Sequence, residues 1–174
     1  MVKKLVALAC ASVMLISSVA FAAPSPAGSD IIEKTGTDKV VAADNTNATQ
    51  EEKDWANNNT GTLEVSLTKL PNTEDYTVDD PDNVLDEAGN YQPVGETLAV
   101  VDENANMPEG VTAIKVSIGE GSDPKDYALS VVNTNTKTIT IISLANVKFD
   151  EKGEAKVETP YGFITLYQNT VNVE

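Results

Sequence analysis

With 174 residues, 27 Asp plus Glu against 12 Lys plus Arg and a formal net charge of −15 at pH 7, the chain is repelled by nucleic acid and by anionic lipid. It has no histidine, and its basic residues are all lysine. That removes Ser-His-Asp and Cys-His catalysis, imidazole metal ligands and the planar guanidinium fork for phosphate, and leaves carboxylate, lysine and serine chemistry and hard cations such as calcium.

The chain opens Met1-Val2-Lys3-Lys4, runs apolar from Leu5 to Val19 and closes with Ala20-Phe21-Ala22. This three-part pattern reads as a secretory signal peptide over 1–22, too short to span a bilayer. Cys10, the one cysteine, would leave with it, so the exported chain has no disulfide framework and depends on a packed core.

Residues 23–61 read as a polar N-terminal arm. Pro24-Ser25-Pro26-Ala27-Gly28 suggests an extended tether. Ile31-Ile32 and Val40-Val41 flank Thr35-Gly36-Thr37 as a short hairpin would. Thr49-Gln50-Glu51-Glu52 fits a capping box ahead of a helix carrying Trp55, and Asn57-Asn58-Asn59 would end it.

Residues 62–174 read as a β-sandwich domain. Leu63, Val65 and Leu67 alternate with polar residues, as do Ile114, Val116 and Ile118. Leu98–Val101, Leu129–Val132 and Thr138–Leu144 look like more fully buried strands. Val147–Phe149, Ala155–Glu158 and Phe163–Tyr167 complete the set. Short strands at this spacing predict an all-β, antiparallel Greek-key sandwich large enough to be stable alone.

The stretch Asp79–Asn90 holds five carboxylates in twelve residues, and there are eleven acids and no lysine between Leu70 and Ile114. Asp79, Asp80 and Asp82 could hold calcium, which takes roughly six to eight oxygens. The EF-hand pattern fails, because the sixth place lacks glycine and the twelfth lacks glutamate. The competing reading is a solvated acidic turn. Leu85-Asp86-Glu87-Ala88-Gly89 matches Phe149-Asp150-Glu151-Lys152-Gly153, and both look like tight hairpins.

Two aromatic features are candidates for ligand binding. Tyr161, Phe163 and Tyr167 share one face of their strand, which is either an exposed platform for sugars or a buried packing face. Trp55 either binds a ligand or docks the polar arm onto the sandwich. No other cofactor is implied, and no pair of carboxylates stands out as a hydrolytic centre.

The signal ending Val19-Ala20-Phe21-Ala22, the Pro-Ser-Pro tether and strands such as Val111-Thr112-Ala113-Ile114-Lys115-Val116-Ser117-Ile118 together resemble small secreted or surface immunoglobulin-like β-sandwich proteins of Gram-positive bacteria. The resemblance implies an extracellular or envelope setting and carries over no functional residue. Asn169–Glu174 lacks an LPxTG motif and an apolar tail, which sets the chain apart from sortase-anchored members. The expectation is a non-catalytic binding, adhesion or structural module with a protein or glycan partner at the cell surface, or a carbohydrate-binding module.

Overall fold

The computed structural model describes residues 32–34 and 38–171. The expected signal peptide, the Pro-Ser-Pro tether, Ile31 and Thr35–Thr37 lie outside the described residues. No helix among the described residues is long and apolar enough to cross a membrane.

Among the described residues, ten strands form two sheets. One contains β1 (Ile32–Lys34), β6 (Val111–Ser117) and β9 (Glu154–Pro160) in the order β1-β6-β9, all antiparallel. The other runs β2 (Lys39–Ala42), β5 (Leu98–Val101), β10 (Gly162–Asn169), β7 (Tyr127–Asn133), β8 (Thr138–Ser143), β3 (Thr77–Asp79), with β4 (Tyr91–Pro93) beside β10 next to the end of β5. The second sheet is mixed, because β3 lies parallel to β8. A parallel pair needs a long crossover, and almost sixty residues separate β3 from β8.

The seven-stranded sheet is covered on both faces, and this explains its apolar strands. In β7 every residue is buried, and so is every residue of β10 except Gln168. Leu129, Val131, Ile164 and Leu166 pack against Ile114, Val116 and Val157 of the smaller sheet. On the opposite face Ala128, Val132, Phe163 and Tyr167 pack under a cover of helices and turns that includes Ala56, Leu63, Leu70 and Tyr76. A strand buried on both faces loses the apolar-polar alternation of a half-buried one.

The cover is built from segments that the sequence divides differently. Helix α1 (Gln50–Asn57) forms as expected: Thr49 accepts the Glu52 amide while Glu52 accepts the Thr49 amide, and Asn58 closes the helix. Leu63–Thr68 is helix α2 rather than a strand. Thr62 caps it by accepting the Val65 amide, and Leu63, Leu67 and Leu70 fall on one helical face, where Leu63 and Leu70 are buried. Ile32 and the pair Val40-Val41 do lie in strands, but these do not pair as a hairpin: β1 joins the smaller sheet and β2 the larger. Residues 38–61 are thus part of the same packed body rather than a loose arm.

Val147–Phe149 joins no ladder. Of the two matching Asp-Glu-x-Gly stretches, Asp150–Gly153 makes the expected tight turn. Asp150 accepts the Lys152 and Glu154 amides, and Gly153 sits at φ 75°, where a Cβ would run into the Gly119 carbonyl. Val84–Asn90 is instead a kinked 3-10 segment that turns Val84 and Ala88 into the core.

Candidate functional site

The acidic stretch does not assemble a cation site. Asp80 spends its carboxylate on the chain itself, accepting the Val84 amide at 3.0 Å and the Leu85 amide at 2.9 Å. Asp79 and Asp82 are exposed, and among the described residues no three acidic side chains converge to hold a metal. Negative charge alone does not make a calcium site, because the oxygens must also converge on one point.

The aromatic platform is likewise corrected. Phe163 and Tyr167 are 1% and 0% exposed, so neither ring presents a face to a ligand. Tyr161 is half-buried and donates its phenol hydrogen to Asp38 Oδ2 at 3.0 Å, which also accepts from Thr112 Oγ1 at 2.7 Å. Burial and the hydrogen bond to Asp38 raise its pKa above the ordinary phenol value.

Trp55 is half-buried and keeps some access to solvent. From α1 it meets Phe163 edge-on, with ring centroids 6.1 Å apart at 69°, and its indole N–H donates to Ser66 O at 2.9 Å. Beside it, between the end of α1 and α2, lies a cleft of about 140 Å³ lined by Trp55, Asn58, Asn59, Thr60, Gly61, Val65, Ser66 and Lys69. This lining includes one lysine and no acid, in a chain with 27 acidic residues. Gly61 is needed there, because a Cβ would come within 2.7 Å of Val65 Cγ1.

The cleft has a rigid floor. Asn59 Nδ2 donates to Thr97 Oγ1 (3.1 Å), Thr165 Oγ1 (3.1 Å) and the Tyr167 hydroxyl (3.0 Å), while the two threonine hydroxyls bond each other at 2.7 Å. Burial pushes the Tyr167 phenol above its ordinary pKa, so it stays a neutral donor and acceptor. The network ties the loop after α1 to β10 and to the residue preceding β5.

A second network fixes the far side of α1. Buried Glu52 takes the Lys137 ammonium at 2.9 Å and the Tyr76 hydroxyl at 3.3 Å, and the Lys137 Nζ stands 4.9 Å from the Tyr76 ring centre. Burial opposes ionisation of Glu52, but the bonds from Lys137 and Thr49 outweigh it and hold the carboxyl below its ordinary value. Trp55 is therefore carried on a helix anchored at both faces.

Within the cleft the Asn59 amide is spent on Thr97, Thr165 and Tyr167, Asn58 Nδ2 on Asp54 O and the Trp55 N–H on Ser66 O, which leaves an aromatic edge, the Asn58 side-chain oxygen, the Thr60 hydroxyl and the Lys69 ammonium. These groups suit a small polar ligand that accepts from Lys69 and Thr60, and do not suit a cation. Asn59, Ser66 and Lys69 were not foreseen from sequence, because residues 63–67 looked like a strand. The signal that could have revealed them is Thr62 followed by the leucines at 63, 67 and 70. No protein-family model, curated protein or solved structure matches the chain.

Proposed function

We propose that the chain is a non-catalytic, secreted or envelope-associated β-sandwich that acts as a binding or adhesion module, taking a sugar-sized polar group in the cleft beside Trp55. The observation that carries this reading is the cleft itself: an anchored tryptophan beside amides, hydroxyls and Lys69, with no carboxylate in the lining. A volume of about 140 Å³ suits one ring or one side chain better than a drug-sized molecule. The lack of histidine and arginine supports the non-catalytic part. The finer fold reading, an immunoglobulin-like Greek key, is supported by the chain's repeated passage between the sheets, from β5 to β6 to β7 and from β8 to β9 to β10.

The glycan form of this reading is favoured over a protein ligand by the aromatic ring set beside the Thr60 hydroxyl and the Lys69 ammonium. A glycan array on the wild type tests it alongside Lys69→Ala, an exposed change, and Trp55→Phe, which keeps an aromatic at the Phe163 contact. Binding should weaken by roughly tenfold in each variant, equivalent to about 1.4 kcal/mol. An empty array, or binding indifferent to both changes, would remove the cleft from consideration. Release of new reducing ends from any bound glycan would overturn the non-catalytic assignment.

A further inference from the structure

Strand β9 is the long edge of the smaller sheet: among the described residues its one hydrogen-bonded neighbour is β6. The Ile118 amide donates to the Gly153 carbonyl at 2.9 Å, in register with the Ser117 to Glu154 pairing. Strand alternation then turns the amides and carbonyls of Ala155, Val157 and Thr159 toward β6 and those of Lys156 and Glu158 toward the open edge. The two ends of that edge are closed. Asp150 occupies both the amide and the carbonyl of Glu154, and Pro160 has no N–H to offer.

What remains is a two-residue template, Lys156 and Glu158, with exposed side chains of opposite charge. We propose that this edge pairs with the same edge of a second copy of the chain, antiparallel and centred on Val157. In that register Lys156 stands opposite Glu158 of the second copy, and the reverse, so both residues exchange backbone hydrogen bonds in both directions. Centring on Lys156 instead would set lysine against lysine and Glu154 against Glu158.

Charge within the molecule points the same way. Lys156 lies across from Lys115, a like-charge pairing that disfavours the sheet, and Glu154 reaches Lys115 at 3.5 Å while no ion pair is formed by Lys156 among the described residues. Glu158 of a second copy supplies the missing counter-charge. The pairing joins two three-stranded sheets into one of six strands. With so short a template the dimer is weak and reversible, as small interfaces are. It is independent of the cleft beside Trp55.

Sedimentation velocity from about 10 μM to about 1 mM tests the proposal on the wild type, Lys156→Glu, Glu158→Lys, the double exchange and Lys156→Pro. The wild type should dimerise across this range. Either single exchange sets like charges opposite each other twice and should raise the dissociation constant by roughly tenfold, and the double exchange should bring it back. Lys156→Pro removes an outward amide that no described neighbour uses and should abolish the dimer; thermal melts check that each variant is folded. A wild type that stays monomeric throughout overturns the proposal, as does a dimer whose strength ignores all four variants. Rescue by the double exchange separates the proposal from damage to the fold, and absence of rescue also overturns it.

Discussion

Both oxygens of the Glu52 carboxylate are committed: Oε2 accepts the Thr49 amide at 3.0 Å and Oε1 the Lys137 ammonium at 2.9 Å. The carboxyl is held below its ordinary value of 4.5, so the stability it contributes is complete above that pH and is lost as pH falls through the lowered folded value. Burial works against the charge on Lys137, but the bonds to Glu52 and Tyr76 prevail and raise its pKa above 10.5. Its contribution is therefore intact below that pH and lost as pH rises through the raised value. Glu52→Gln keeps the means to cap Thr49 but gives up the ion pair. Because the Lys137 side chain is 37% exposed, the expected cost near neutral pH is only about 1 kcal/mol. Thermal melts from about pH 3 to about pH 8 should show the gap to wild type closing at the acid end. A gap that persists there would assign the loss to packing rather than charge.

At the scale of elements, Asp80 decides what the acidic stretch is. Its carboxylate holds the first amides of the Val84–Asn90 segment, as a helix cap does, so Asp80→Ala should cost about 1 kcal/mol. Differential scanning calorimetry should give the same loss in EDTA and in excess calcium. A calcium-specific rise in the wild type that vanishes in the variant would restore the metal reading. The elements also show where sequence is informative. The capping box at Thr49–Glu52 fixed the start of α1 because its partners lie within three residues, and Leu98–Val101 matched β5 because its apolar run is bounded by polar residues. Leu63–Thr68 misled because alternation and helical period share the leucines at 63 and 67, and only Leu70 and the Thr62 cap separate them. Strands β3 and β4 were illegible because three residues carry no period. The cleft could not be read at all, since it depends on how α1 and α2 meet, and the choice between platform and packing face for Phe163 is decided by the cover that includes Trp55 and α2.

For the whole molecule, the division at residue 61 that composition suggests does not correspond to a physical boundary. Lys39–Ala42 pairs along the whole of β5, Trp55 packs on Phe163, and Asn59 satisfies Thr97, Thr165 and Tyr167. A chain beginning at residue 62 would expose Phe163, whose burial alone contributes about 1.5–3 kcal/mol, and would leave three buried hydroxyls short of a partner. Such a fragment should bind a hydrophobic dye and lack a cooperative melt, whereas residues 32–174 should melt in a single transition; a cooperative fragment would reinstate the boundary. The place of β10 has a consequence for how the chain comes to be folded. Among the described residues it is the last strand in sequence, at residues 162–169, yet it lies between β5 and β7 and also carries β4. A chain growing from its N-terminus therefore has strands on both sides of a gap and nothing to join them until β10 is made. Every truncated product that stops before β10 lacks the seam of the larger sheet, so that sheet cannot close until residues 162–169 are made, and non-local pairing of this kind makes folding slow.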